Sequence, residues 1–530
     1  MPYLVHHLIR GPAEQSPDAP ALIHGACRWS YRELDQSVRR VASGFARVGL
    51  EPGDRVAIYL DKCPEAVTAL FATSAAGGVF VPINPQLKAQ QVGYMLADSG
   101  ARILVTSRQR LAAIPASVTE TDCLHCVILI DGPADERTST ECPVTPWEAL
   151  GAQPQETEPS TVETDLAALL YTSGSTGQPK GVALSHRNLI AGAESVVAYL
   201  GNTADDRLLA VLPLSFDYGL SQLTTAFRVG ASVVLLNYLL PRDVVRTIAR
   251  ESITGLAVVP PLWVQLAELE WPEAARTSLR YITNSGGTLP RPSLNKLRTA
   301  LPTTDIVIMY GLTEAFRSTY LPPAELEQRP DAIGIPIPNA DIRVVRDDGT
   351  ECAVGEPGEL VHRGPLVAMG YWNAPERSAE RFRPSPTQAP QMPVSETAVW
   401  SGDTVYRDAE GYLYFIGRRD EMIKTSGYRV SPDEIEAIIQ ESGLAGEVAA
   451  FGVADESLGE VIVVAAAPTA PGQAPDERAL RQACQQGLPT FMVPRWIRTY
   501  AQPLPRNANG KTDRQALRRR HHEQRNEDEA

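Results

Sequence analysis

The chain has 530 residues, 43% hydrophobic and 21% charged, with a formal net charge of −14. A single hydrophobic core rarely grows past about 250–300 residues, so more than one domain is expected. The acidic balance argues against a nucleic-acid partner and against binding to anionic membrane surfaces, and no apolar run approaches the ~18 residues of a membrane helix.

In chain order, Met1-Pro-Tyr-Leu-Val-His-His-Leu-Ile-Arg10 lacks the apolar region of a signal peptide, so a cytoplasmic protein without membrane insertion is expected. The segment 31–45 places apolar residues at helical spacing, and Arg55-Val-Ala-Ile-Tyr59 reads as a strand. Such alternation over the first 150 residues predicts an α/β domain with mainly parallel sheets. Cys123 and Cys126 are spaced like a redox or zinc pair, but no second pair or His cluster lies nearby, and they read as ordinary thiols before the strand 127–130. The polar stretch 151–159 reads as a linker. Residues 208–345 alternate again, with Ala231-Ser-Val-Val-Leu-Leu-Asn-Tyr-Leu-Leu240 read as core strand and helix.

After the run 411–416, which reads as part of a hairpin, the pattern changes, and a boundary is placed near Arg419 and Asp420. The expected organisation is therefore multi-domain: a large α/β domain over 1–419, a small α+β domain over 420–517, and a charged tail over 518–530 without an apolar face. In the small domain, 431–441 reads as a helix with Pro432 in its first turn, followed by strands at 448–451 and 461–465.

The most informative stretch is Tyr171-Thr-Ser-Gly-Ser-Thr-Gly-Gln-Pro-Lys-Gly-Val182. An apolar strand empties into Gly, Ser and Thr, and residues 183–189 read as the start of a helix. Glycines let the backbone approach a polyphosphate, with each N–H aimed at an anionic oxygen, and Lys180 adds a point charge. The spacing differs from the common nucleotide-binding loop, because Pro179 precedes the lysine and Gly181 follows it.

This loop resembles the phosphate-binding signature of the adenylate-forming superfamily, which comprises acyl-CoA synthetases, peptide-synthetase adenylation domains and luciferases. Four more blocks match in order: Tyr310-Gly-Leu-Thr-Glu314, Ser401-Gly-Asp403, Gly417-Arg-Arg-Asp-Glu-Met-Ile-Lys-Thr-Ser-Gly-Tyr-Arg429 and Pro505-Arg-Asn-Ala-Asn-Gly-Lys511. Within the superfamily, Ser215-Phe-Asp-Tyr-Gly-Leu-Ser221 and residues 309–318 look most like the acyl-CoA ligases associated with exosortase A systems.

The resemblance implies an ATP- and Mg²⁺-dependent ligase that converts a carboxylic acid to an acyl-adenylate and then to a thioester of CoA or of a carrier-protein phosphopantetheine. Thr172, Ser173, Gly174, Ser175, Thr176, Gly177 and Lys180 would grip the β- and γ-phosphates. Gly286, Gly287 and Thr288 would line the adenine and Tyr310 would pack on it, beside Gly311. Thr313 would contact the α-phosphate and Glu314 would hold Mg²⁺. Asp403 would accept from the ribose hydroxyls, with Arg418 nearby, while Arg429 has either a nucleotide role or a structural ion pair. Lys511, by itself a solvated loop lysine, would bridge the acid and the α-phosphate during adenylation. Asp420 would be the hinge about which the small domain turns, and Gly427 would line the thiol path.

Two residues bear on the acid. Asp217 stands where amino-acid-activating relatives pair a carboxylate with the substrate ammonium, whereas Arg317 could pair with Asp217 internally. Tyr218, Ser221, Ser285, Met309 and Ser318 would complete a small, fairly polar pocket. The alternative to an acyl-CoA ligase is a stand-alone amino-acid adenylation enzyme loading a separate carrier protein. A non-catalytic scaffold is disfavoured by the presence of Lys180, Glu314, Asp403 and Lys511, and no feature calls for luciferase-like oxidation.

Overall fold

The computed structural model describes residues 2–119, 123–133, 140, 142–151, 159–172, 179–287, 289, 291–387, 391–393, 395–418, 422–468, 472–505 and 512–529. Ser173, Gly174, Ser175, Thr176, Gly177, Thr288, Asp420 and Lys511 lie outside the described residues, as does the side chain of Arg418.

The alternating pattern of the large domain builds two sheets. In the first, strands Val79–Pro82, Arg55–Tyr59, Ala101–Thr106, Cys126–Leu129 and Val144–Pro146 run parallel in that spatial order. The second has a parallel centre, Ser232–Leu235, Arg207–Ala210, Gly255–Val258, Tyr281–Asn284 and Asp305–Tyr310, extended by antiparallel strands toward Leu413–Arg418 and Thr397–Arg407. Strands covered on both faces need apolar residues at every position, and Cys126–Leu129 is buried throughout. Helices fill the space between the sheets. Phe71 on Pro64–Ala75 meets Phe227 on Asp217–Val229 edge-on at 5.5 Å, inside the largest core cluster. Helix Tyr31–Arg47 starts in a Ser30–Glu33 capping box and buries Leu34, Val38, Val41 and Phe45, the spacing expected of one helix face.

The small domain begins with Ile423–Thr425 and Tyr428–Val430 and is dominated by the long pair Glu447–Asp455 and Gly459–Ala467. Along Gly459–Ala467, Ile462, Val464 and Ala466 face the helices Pro432–Glu441 and Glu477–Gly487, while Val461, Val463 and Ala465 face the opposite way. That second apolar face requires a cover of its own. It receives Leu504 and Leu517, the latter from helix Arg514–Glu529.

Three expectations are corrected. The charged tail read over 518–530 is helical as far as it is described: helix Arg514–Glu529 has Leu517 and His521 buried and Arg518 Nε donating to the Gly452 carbonyl at 3.1 Å. Among its described side chains only Leu517 and His521 are buried, one per turn, which is too narrow to register as an apolar face. The glycine loop does not open a helix at 183. Instead the chain returns as strand Lys180–Ser185, antiparallel to Leu166–Thr172 with Thr172 opposite Lys180, and helix His186–Leu200 begins only after Ser185. Alternation of Val182 and Leu184 with smaller residues is a strand pattern, and it prevails. Finally, the strand in 231–240 is only Ser232–Leu235; no helix follows until Pro241, and Leu239 stands 91% exposed.

Candidate active site

A cavity of about 1150 Å³ lies beyond the carboxyl ends of Gly255–Val258, Tyr281–Asn284 and Asp305–Tyr310, and the small domain forms its far wall. Parallel sheets bind ligands at this edge because the strand-to-helix turns there present backbone and short polar side chains. Thr172, Asp217, Tyr218, Ser285, Gly286, Gly287, Met309, Tyr310, Gly311, Thr313 and Arg317 reach it from the large domain, and Gly427 and Arg429 from the small one. Ser221 and Ser318 do not line it. The Ser318 hydroxyl is fully buried against Nδ1 of His362 at 2.9 Å, and Ser221 Oγ is turned along its own helix toward Thr225.

Behind Thr313 lies a buried charge cluster. Tyr371 donates to Glu314 Oε1 at 2.7 Å, Lys180 Nζ donates to the Tyr371 hydroxyl at 2.8 Å, and Lys180 and Arg429 each stand 3.6 Å from a Glu314 oxygen. Burial alone would raise the Glu314 carboxyl. Arg429 and Lys180, with the Tyr371 hydroxyl, outweigh it and hold this carboxyl well below the usual carboxylate range. Buried without a hydrogen-bond partner among the described residues are Glu314 Oε2 and Thr172 Oγ1 and, at the acid end, Arg317 Nε and Nη2. An open carboxylate lone pair suits Mg²⁺, which takes most of its ligands from water and substrate phosphates rather than from a protein cage. Among the described residues there is no group of three or more His, Cys, Asp or Glu side chains to hold an ion unaided.

At the carboxyl end of Asp305–Tyr310, the Tyr310 hydroxyl donates to Asp403 Oδ2, and Asp403 stands opposite Arg418 in the hairpin register. Asp403 is 4% exposed. The backbone places a tyrosine ring and a carboxylate side by side, the chemical types that suit a base and a ribose diol.

The acid end of the cavity is set by one turn. After Thr313–Ala315, Phe316 adopts φ +61°, ψ −66°, and Arg317 N–H donates to the Ala315 carbonyl at 2.7 Å, closing a γ-turn of the strained, positive-φ type. Gly311 makes the turn possible, because a Cβ there would stand 2.9 Å from the Phe316 carbonyl oxygen and from Arg317 Cα. The turn sends Arg317 back across the pocket, where Nη1 meets Asp217 Oδ2 at 2.9 Å, with side-chain exposures of 2% and 5%. Its guanidinium carbon lies 4.5 Å from the Tyr218 ring centre and 5.1 Å from that of Phe316. Burial pushes the Asp217 carboxyl above its ordinary range and the guanidinium pulls it back.

From the small domain, the loop at Gly427 closes on the large one. Gly427 has φ +80°, and a Cβ there would stand 2.6 Å from the Val259 side chain. Tyr428 stacks on Phe491 at 3.8 Å, and Phe216 flanks it at 6.4 Å. Gln91 donates to Glu434 Oε1 at 2.7 Å across the same junction. Tyr371, Phe216, Gln91, Glu434 and Phe491 carry no signal in the spacing of the sequence. The strand Gly370–Tyr371 is two residues long, too short to show a period.

The family then follows. The chain belongs to the AMP-binding enzymes: residues 9–372 match that family, and residues 434–511 match the AMP-binding enzyme C-terminal domain. It is 31% identical over 515 residues to feruloyl-CoA synthase from Amycolatopsis, covering 96% of this chain and 97% of that protein. It is also 31% identical over 516 residues to a linear gramicidin synthase polypeptide from Brevibacillus parabrevis, covering 97% of this chain but only 6% of that much longer protein. A second linear gramicidin synthase polypeptide of the same organism is 29% identical and is spanned over 10% of its length. The fold matches o-succinylbenzoate CoA synthetase from Bacillus subtilis, solved as a double mutant with a product analogue, with a TM-score of 0.81 and 27% identity over 96% of this chain and 97% of that one.

Proposed function

We propose that the protein is an ATP-dependent acid–thiol ligase working in two half-reactions. In the first, a carboxylate oxygen of the acid attacks the α-phosphorus of ATP, the bond to pyrophosphate breaks, and an acyl-adenylate forms. In the second, a pantetheine sulfur of CoA or of a separate carrier protein attacks the acyl carbonyl, loses its proton, and AMP departs. The observation that carries this reading is that Thr172, Tyr310, Thr313 and Arg429 line one cavity walled by both domains, with the Glu314–Tyr371–Lys180 cluster held behind Thr313 by Arg429 and with Asp403 held behind Tyr310.

In this reading Tyr310 and the Gly286–Gly287 turn hold the adenine, and Asp403 the ribose. Lys180 and Thr172, with the loop between them, hold the β- and γ-phosphates, and Thr313 holds the α-phosphate. Glu314 would hold the Mg²⁺ that enters with ATP, which supplies charge neutralisation on the phosphates. Lys511 offsets the repulsion between the two reacting anions in a desolvated site, where a fixed charge acts more strongly than in water. Arg429 reaches Glu314 from the small domain, so rotation about Asp420 would exchange one cation for another beside the same phosphates. The test is pyrophosphate exchange into ATP across a panel of aryl, short-chain and amino acids. Exchange that depends on one class of acid supports the reading; no exchange with any acid, together with no ATP binding, overturns it.

A further inference from the structure

The Asp217–Arg317 pair bears on which acid enters. A cavity open to a substrate ammonium should offer it a carboxylate whose charge is not already matched. Here the carboxylate is matched from within the chain. Arg317 is 2% exposed, its Nη1 also donates to the Phe316 carbonyl at 2.6 Å, and two aromatic faces enclose the guanidinium. Nor is the pairing a chance rotamer of a long side chain. A positive-φ, non-glycine turn at Phe316 holds it, and such turns persist only where the surrounding structure over-determines them. The Phe316 ring is in turn locked against Gly192, where a Cβ would approach it to 2.6 Å.

Of the other carboxylates lining the cavity, Asp331 pairs with Arg291, and Glu434, Asp455, Glu456 and Glu460 come from the small domain rather than from the wall that holds Asp217. Glu314 is shared by Lys180 and Arg429, and Asp403 takes the Tyr310 hydroxyl. An ammonium brought beside Asp217 would compete with a guanidinium that cannot lose its proton, and one buried carboxylate would face two cations. Leaving a buried charge uncompensated is strongly unfavourable, because no partner's attraction then offsets its desolvation.

We infer that Arg317 occupies, as a built-in cation, the place a substrate ammonium would take, and that the pocket therefore selects carboxylic acids whose acyl group carries no positive charge. The inference rests on the ligase reading and narrows it to acids without an ammonium group, making Arg317 the residue that determines this specificity. Discrimination arises by exclusion, through a charge placed against the wrong substrate.

The test uses the full-length protein and stable acyl-sulfamoyl adenosine analogues of matched acids, phenylalanyl against 3-phenylpropionyl and alanyl against propionyl, with binding measured by calorimetry. The wild type should bind the member without the amino group at least about tenfold more tightly in each pair. Arg317→Met should free Asp217 and shift the ratio toward the amino member by at least about tenfold. The double variant Asp217→Asn with Arg317→Met should lose that shift. Thermal melts identify a variant that does not fold, in which case the wild-type ratios decide alone. Equal binding within the pairs, tighter binding of the amino members by the wild type, or an unchanged ratio in a folded Arg317→Met protein would overturn the inference. Failure of every analogue and of ATP to bind would instead refute the ligase reading.

Discussion

Glu314 shows how much chemistry one buried carboxylate can hold in place. Its carboxyl is held low by Arg429 and Lys180 against the cost of burial, so the ionised form contributes stability at neutral pH. A depressed carboxyl contributes fully above its ordinary value of 4.5 and loses that contribution as pH falls below it. Wild type should therefore lose more stability between about pH 5 and 3 than Glu314→Gln does, measured by denaturant unfolding at each pH. The same variant should slow pyrophosphate exchange by about 100-fold or more. Parallel pH curves for the two proteins would contradict this. Tyr371→Phe is a finer probe, since it removes only the hydroxyl between Lys180 and Glu314. It should cost about 1–3 kcal/mol, because Glu314 Oε1 loses its donor. A melting temperature equal to wild type would show that water replaces that hydroxyl. At this scale the candidates in short fixed-spacing blocks, Lys180, Tyr310, Thr313, Glu314 and Asp403, were singled out from the sequence, with the roles proposed above. Tyr371 was not, because nothing along the chain announces a partner 57 residues from Glu314.

At the scale of elements, regular periods were readable and their interruptions were not. Strand Arg55–Tyr59 and helix Pro432–Glu441 fall where alternation and an N-terminal proline put them. The γ-turn at Phe316 was invisible, because its cause lies in the packing of Phe316 and Gly311 rather than in local propensity. Helix Arg514–Glu529 was missed from its own residues, although strand Gly459–Ala467, apolar on both faces, implied a second cover. Leu517→Ala should destabilise the small domain by about 2–5 kcal/mol, the usual cost of emptying a buried leucine site. Calorimetry of the intact protein checks it, and an unchanged transition would mean that the helix is not needed as a cover. Gly427→Ala brings a Cβ to 2.6 Å from Val259 at φ +80°. That loop should then fail to dock, so thioester formation from supplied acyl-adenylate falls while pyrophosphate exchange persists. Equal loss in both assays would contradict that separation.

For the whole molecule, the junction between the domains carries a titratable contact. Burial raises the Glu434 carboxyl to about 7, with the hydrogen bond from Gln91 acting in the opposite direction. Glu434 makes no ion pair among the described residues, and its hydrogen bond comes from Gln91, whose amide also reaches Met492 Sδ. A raised carboxyl favours the docked arrangement fully below 4.5, and that preference is lost as pH rises through about 7. Fluorescence transfer between labels on the two domains should show docking weakening over this window, and Glu434→Gln should flatten the curve. A wild-type signal independent of pH would contradict it. The presence of a large and a smaller domain was legible in the change of pattern along the chain, but the junction itself was not, because it is made of residues such as Gln91 and Glu434 that are 343 positions apart.

In the proposed ligase one cavity serves two half-reactions, with different small-domain residues supplied to each. Lys511→Ala tests it most directly, assayed once by acid-dependent pyrophosphate exchange and once by thioester formation from supplied acyl-adenylate. Exchange should be abolished while thioester formation continues at close to the wild-type rate. Equal loss of both, or retention of exchange, would contradict it.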